Sequence, residues 1–155
     1  MTKPDENEDA SEEALNLFAP YLMNRSMHRY NQGLQAEIAP MGLSVSKVRA
    51  LAALATRGKL TVNELSVYAV AEQSTMSRTV DQMEKDGLIR RTVSAEDSRV
   101  RLVSLSDAGR VAYHATWPKM LAAQGVLLEG LNEATRLQFV ETLNQILHNV
   151  RVNDF

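Results

Sequence analysis

The chain has 155 residues, no cysteine and a formal net charge of -2 at pH 7. This length predicts one domain with a buried core, and the absence of cysteine excludes disulfides, thiolate metal ligands and thiol-based redox sensing. No apolar run is long enough to span a membrane, and the N-terminus lacks the basic-then-apolar pattern of a signal peptide. We therefore expect a single-domain cytoplasmic protein without a membrane partner.

The charged side chains are unevenly distributed along the chain. Residues 1–13 hold six acidic side chains and one basic side chain, and we interpret them as an acidic, solvated N-terminal tail. Residues 14–155 form the predicted domain, in which residues 44–110 carry 11 basic and 8 acidic side chains. The net negative charge therefore does not argue against a nucleic-acid partner, because local patches decide such binding.

Helical periodicity and capping residues predict the first helices. One helix begins near Pro20 and ends before Pro40, and the next begins at Ser44 or Ser46 and ends at Gly58. A third helix of roughly residues 62–69 begins with a capping box, Thr61-Val62-Asn63-Glu64.

The fourth predicted helix, about Gln73 to Asp86, has one apolar and one polar face. Its inner stripe is Met76, Val80 and Met83. The N-terminal half of the polar face offers hydroxyls, an amide and one long cation, which suit phosphates and base edges in a major groove. An alternative is that the hydroxyls only help to start the helix. The candidate DNA-contacting residues here are Gln73, Ser74, Thr75, Ser77 and Arg78.

Residues 88–93 and 100–105 are the predicted strands of a charged β-hairpin. Arg99 lies near its tip, Asp97 precedes it by two residues, and Arg101 lies on the second strand. An arginine suits a narrow minor groove, and a nearby carboxylate would hold that arginine in one orientation. We therefore predict that Asp97, Arg99 and Arg101 belong to a DNA-contacting wing, although a surface hairpin with a weak ion pair has the same pattern.

Two long helices are predicted after the hairpin. Ser106 caps the first and Asn132 caps the second, whose apolar stripe consists of Ala134, Leu137, Val140, Leu143, Leu147 and Val150. Such wide apolar faces exceed what one small core covers, so residues 14–40 and 111–155 are predicted dimerisation helices. The alternative is packing within one chain. The predicted fold is mainly α with a small β-hairpin wing, a winged helix-turn-helix core flanked by N- and C-terminal dimerisation helices.

These motifs together resemble the MarR family of bacterial winged-helix transcription regulators. The resemblance is carried by residues 74–84, by Gly87-Leu88-Ile89, by Asp97-Ser98-Arg99 and by Leu105-Ser106-Asp107-Ala108-Gly109, and in helix order it covers essentially the whole chain. It implies a homodimer on a pseudo-palindromic operator, with recognition helices in adjacent major grooves and wings in flanking minor grooves.

One turn departs from the family pattern. Family members often have a glycine and a hydroxyl cap before the recognition helix, whereas this chain has Ala69-Val70-Ala71-Glu72. We therefore expect a tighter or more helical turn at this point.

The resemblance also implies a cleft in which a small aromatic ligand lowers DNA affinity. The candidate ligand residues are Met27, His28, Tyr113 and Trp117, with Met23, Tyr30 and His114 near them in sequence. The alternative is that these methionines and aromatic residues belong to the core.

The sequence predicts no cofactor, no metal site and no enzymatic activity. Its three histidines lack the spacing of a metal site, and it has neither a nucleophile elbow nor a phosphate-binding glycine loop. The leading interpretation is a homodimeric, sequence-specific DNA-binding transcriptional regulator that acts as a repressor. The alternative is a winged-helix module that contacts proteins without binding DNA.

Overall fold

The computed structural model describes residues 12–153, which form seven α-helices, a short 3-10 helix at Ala39–Met41 and one antiparallel β-hairpin. In chain order the elements are α1 Glu12–Leu17, α2 Ala19–Ile38, α3 Val45–Arg57, α4 Val62–Tyr68, α5 Gln73–Lys85, β1 Ile89–Val93, β2 Arg101–Leu105, α6 Asp107–Leu127 and α7 Glu133–Val150. This order confirms the predicted fold class, mainly α with a winged helix-turn-helix.

The core lies between α2, α3, α4, α5, the hairpin and α6. Helix α3 contacts α2, α4, α5, α6 and β2, and its Leu51 is fully buried. The predicted inner stripe of α5, namely Met76, Val80 and Met83, is also fully buried. Leu60 pairs with Val103 in an isolated bridge, which adds a third extended segment beside the hairpin. Burial of this stripe turns the opposite face of α5 toward solvent.

Four helices begin at side-chain caps that the sequence predicts. Each cap accepts a hydrogen bond from the amide three residues later, and Ser44, not Ser46, is the cap of α3. The Thr61–Glu64 capping box is complete, since each side chain bonds the other residue's amide. The four caps are Ser44, Thr61, Ser106 and Asn132.

The turn between α4 and α5 contains a strained residue rather than a tighter helix. Val70 has φ 54°, and the amides of Val70 and Ala71 donate to the carbonyls of Val67 and Ser66. This is the Schellman pattern, in which the left-handed position is usually glycine. A β-branched residue there stores strain on the order of 1–3 kcal/mol.

The predicted acidic tail meets the first helix. Residues 1–11 lie outside the described part of the chain, whereas Glu12 and Glu13 form the first turn of α1. Carboxylates are favourable at this end of a helix. Two residues assigned to the tail, Glu12 and Glu13, are therefore helical.

Within residues 12–153 no single helix is long and apolar enough to cross a membrane. Segments 19–41 and 45–57, which are bent by 85° relative to each other, reach the length and composition of a membrane span only as a pair.

Helix α6 begins in direct contact with the turn that follows α5. The hydroxyl of Ser106 donates to the Gly87 carbonyl at 2.6 Å, and its amide donates to the Leu88 carbonyl at 3.0 Å. A Cβ added to Gly109 would lie 2.0 Å from the Leu88 carbonyl oxygen. Position 109 therefore requires glycine because the helix backbone and the turn touch.

Gly109→Ala should lower the free energy of unfolding by about 3 kcal/mol, because backbone must move to accommodate the methyl group. Urea unfolding followed by circular dichroism measures the change. Gly125→Ala in the same helix is the matched control, since a Cβ there meets nothing within 4 Å. The control should gain about 0.5–1 kcal/mol from helix propensity. Equal effects at the two positions would contradict a special contact at Gly109.

Candidate nucleic-acid interface

The polar residues expected on DNA share one exposed surface of α5. Met76 and Val80 hold the opposite face in the core, and Glu72 is the N-cap without a side-chain hydrogen bond. The hydroxyls near the start of the helix therefore do not cap it. The exposed candidates are Gln73, Ser74, Thr75, Ser77 and Arg78.

The wing carries an arginine that is exposed and yet held in place. The Arg99 side chain is 89% exposed, and its Nε and one terminal nitrogen donate to the two oxygens of Asp97, each at 3.1 Å. The Arg99 amide also donates to Asp97 at 2.9 Å. The expected Asp97–Arg99 pair is therefore present as a bidentate contact.

These hydrogen bonds also set the charge of Asp97. The side chain of Arg99, followed by its amide, lowers the pKa of the Asp97 carboxyl below its usual value. Because the charged form is favoured, the pair stays intact at neutral pH and is lost only as pH falls through the lowered pKa.

Arg101 stabilises the wing turn from within. Its guanidinium donates to the Ser98 carbonyl at 2.8 Å, and the Arg101 backbone pairs with Val93 in the hairpin. One of its donors is therefore used inside the wing, while the exposed remainder of the guanidinium faces solvent.

A contact that was not predicted from the sequence connects the hairpin to α5. Arg91 donates to Asp81 and to Glu84, each at 2.5 Å, and its own side chain is 26% exposed. The hydrogen bond that Arg91 donates to Asp81 is the main reason that the pKa of Arg91 is raised. Strand alternation in the sequence could have indicated this contact, because it places Arg91 on the same hairpin face as the buried Ile89.

Another ion pair connects the C-terminal end of α5 to α3. Lys47 donates to Asp86 at 2.7 Å, and Gln82 donates to the same carboxylate at 2.8 Å. The bond from Lys47 is the larger cause of the lowered pKa of Asp86. Helix α5 is thus held at its C-terminal end by α3 and along its length by β1.

The candidate ligand residues include one aromatic cluster on α6 and exposed side chains on α2. Tyr113 is half-buried against the core, and its ring lies 5.3 Å from the His114 ring and 5.9 Å from the Trp117 ring, centroid to centroid. Met27 and Trp117 are 41% and 42% exposed.

A cleft of about 960 Å³ lies between α2 and α6, and other residues line it. Three of them are cationic, namely Arg25, Arg29 and Lys119, and Glu37 pairs with Lys119 at 3.2 Å. Of the residues noted in the sequence, Tyr30 lines this cleft, whereas Met27, His28, Tyr113 and Trp117 do not. Helical periodicity identifies an apolar stripe, but which flank of it opens into a cleft depends on how α2 packs on α6.

Across residues 12–153 the structure has no group of three histidine or acidic side chains placed to hold a metal ion.

Comparison with known proteins bears on the fold and on the class of function. A model of the MarR family matches residues 41–100. The crystal structure of a MarR family transcriptional regulator from Silicibacter pomeroyi is 42% identical, covers 96% of this chain and 100% of its own, and has a TM-score of 0.85. A second such regulator from Silicibacter pomeroyi is 31% identical with a TM-score of 0.84 and covers the same shares, 96% and 100%.

A curated relative, the HTH-type transcriptional repressor IacR of Pseudomonas putida, is 28% identical over 133 residues, which are 86% of this chain and 80% of the relative. The resemblance predicted from the sequence is thereby confirmed, and so is the expectation of a non-enzymatic regulator. This chain belongs to the MarR family of transcriptional regulators.

Proposed function

We propose that this regulator binds double-stranded DNA as a homodimer and represses transcription, with α5 in the major groove and the hairpin wing in the minor groove. The wing tip is the observation that carries the proposal. Asp97 orders Arg99 while leaving most of its side chain exposed, as an arginine needs if it is to enter a narrow groove of high negative potential.

Two further observations support this assignment. The exposed start of α5 combines hydroxyls, Gln73 and Arg78, which are side chains that contact phosphates and base edges. In addition, a mutant MarR from E. coli complexed with operator DNA has the same fold, at 17% identity and a TM-score of 0.76. That likeness concerns the fold alone, so the residue assignments depend on the geometry of this chain.

The homodimer is proposed because, within residues 12–153, the apolar face of α7 is left uncovered by the rest of the chain. This 18-residue helix has no buried residue, and Leu147 and Val150 are 60% and 67% exposed. A helix of this length gains most of its stability from packing, so its apolar face needs a cover. A second copy provides one, and a twofold axis also places two α5 helices on the half-sites of a palindrome.

The dimer predicts a particle of twice the 17.2-kDa chain mass in sedimentation velocity. Val140→Glu with Leu147→Glu should convert it to monomers, because the new charges lie on the apolar face. Gln138→Glu with Gln145→Glu adds the same charge on the polar face of α7 and should leave the dimer intact. A wild-type monomer at micromolar concentration would contradict the proposal.

The cleft between α2 and α6 is the proposed effector site. Three cations against one carboxylate give its rim a net positive charge, while Leu22, Tyr30 and Val126 offer apolar surface. An aromatic carboxylate matches this combination of charge and apolar surface. The proposed ligand contacts are therefore the residues that line this cleft, and not Met27, His28, Tyr113 and Trp117.

Thermal unfolding with a panel of aromatic carboxylates tests this site. A ligand present at 100 times its Kd should stabilise the protein by about 2.7 kcal/mol, which is a shift of several degrees. Arg29→Ala should reduce the shift, whereas Trp117→Ala, outside the cleft, should preserve it. Loss of the shift in Trp117→Ala alone would place the ligand at the aromatic cluster, and no shift with any compound would contradict an aromatic carboxylate effector.

DNA binding is tested with duplexes selected from a random library on the wild-type protein. Fluorescence anisotropy should show affinity that falls steeply with salt, because phosphate contacts release counterions. Arg99→Ala should weaken binding by about 10- to 100-fold. Asp97→Asn should weaken it several-fold although it removes a negative charge, because Arg99 loses its anchor.

Glu96→Gln is the matched control for that last variant. It removes the same charge from the same turn without touching the pair, so affinity should be unchanged or slightly higher. Equal affinities for Asp97→Asn and Glu96→Gln would show that Asp97 does not position Arg99. If the wild-type protein enriches no duplex, the proposed function is wrong and the protein-contact module becomes the better account.

A further inference from the structure

Arg91 couples the wing to the candidate recognition helix through two carboxylates on one side of α5. Asp81 and Glu84 are three residues apart and therefore neighbours on the helix surface. Their side chains are 56% and 42% exposed, and both accept from the single guanidinium of Arg91. Two different nitrogens make the two contacts, so the arginine bridges the acids rather than choosing between them.

The charge on α5 itself makes this bridge consequential. Residues 73–85 carry two cations, Arg78 and Lys85, and two carboxylates, Asp81 and Glu84. The helix proposed to lie against phosphates therefore has no positive excess of its own. Carboxylates that approach phosphates repel them, weakly in water but more strongly as the interface excludes solvent.

The hairpin register explains how the compensating charge reaches these acids. Arg91 lies opposite Val103 in the hairpin and shares a face with Ile89 and Leu105. Its three neighbours on that face, Val103, Ile89 and Leu105, are all buried. The Schellman turn at Gly87 reverses the chain after α5, so that β1 returns beside the helix. The Arg91 guanidinium therefore reaches α5 from the side of the hairpin. The Arg91 side chain is only 26% exposed, whereas that of Arg99 is 89% exposed.

We propose that Arg91 is a positioning residue for DNA binding, which neutralises Asp81 and Glu84 on α5 without contacting DNA itself. The inference depends on the proposed function, because it matters only if α5 approaches phosphates. Neutralisation, a direct phosphate contact and a purely mechanical tie each predict a different pattern of mutant affinities.

Anisotropy with the selected duplex at about 0.1 M salt distinguishes them. Arg91→Gln should weaken binding on the order of tenfold, because two carboxylates are left uncompensated beside the phosphates. Asp81→Asn with Glu84→Gln should bind as well as wild type or better. The triple variant, Arg91→Gln with both neutralised acids, should recover most of the affinity that Arg91→Gln loses.

The other two roles give different results. If Arg91 contacts a phosphate, the triple variant stays as weak as Arg91→Gln. If the bridge is only a mechanical tie, neutralising the two acids weakens binding as much as removing the arginine, and no combination recovers it. Wild-type affinity in Arg91→Gln would also overturn the proposal.

A matched set controls for net charge and for folding. Arg91→Gln with Glu13→Gln and Glu129→Gln has the same net charge as the triple variant, but its added substitutions lie outside α5 and the wing. It should remain weak; recovery there would attribute the rescue to overall charge and overturn the local role. Circular dichroism should show all variants folded. Absence of binding by the wild type would contradict the proposed function and this inference with it, whereas the variant patterns above test the inference alone.

Discussion

The contact between the start of α6 and the turn after α5 holds the functional parts of this protein together. Ser106 bonds the carbonyls of Gly87 and Leu88, and Gly109 brings the helix backbone against the same turn. The end of α5, both ends of the hairpin and the start of α6 therefore meet at one junction. Because no side chain lies between Gly109 and the Leu88 carbonyl, a shift of the start of α6 toward the turn would push directly on the turn.

That junction gives the proposed effector a physical route to α5 and the wing, the elements proposed to bind DNA. Helix α6 contributes its N-terminus to the junction and Pro118 and Lys119 to the cleft, a separation of about 14 Å along the helix axis. A ligand that binds better when α2 and α6 stand further apart would displace α6, and with it α5 and the wing. Its effect is limited by the difference in its affinity for the two arrangements.

The sequence predicts what depends on neighbouring residues and misses what depends on packing. Ser44, Thr61, Ser106 and Asn132 bond amides three residues away, so their capping could be inferred before the fold was known. Likewise Asp97 and Arg99 are only two residues apart. The lining of the cleft could not be inferred in this way, because it depends on the rotation of α2 against α6.

The conformation of Val70 also could not be predicted from the sequence. The missing glycine before α5 indicated an unusual turn, but the chain keeps the usual Schellman hydrogen bonds and places valine in the left-handed position. The buried residues on both sides, Ala69 and Met76, fix the path of the backbone and outweigh the local cost. Packing of α4 and α5 therefore stabilises a left-handed backbone conformation that valine disfavours.

The acidic composition of the chain is compatible with the proposed DNA interface because several carboxylates on or beside α5 and the wing are paired with cations. Asp97 is held by Arg99, Asp86 by Lys47, and Asp81 with Glu84 by Arg91. Each pair joins two different segments or orders a turn, so the same contacts that shape the surface also set its local charge. Net charge alone would have classed this protein with those that avoid nucleic acid, whereas the pairing offsets these carboxylates and leaves Arg78 without an acidic partner among the ion pairs of residues 12–153.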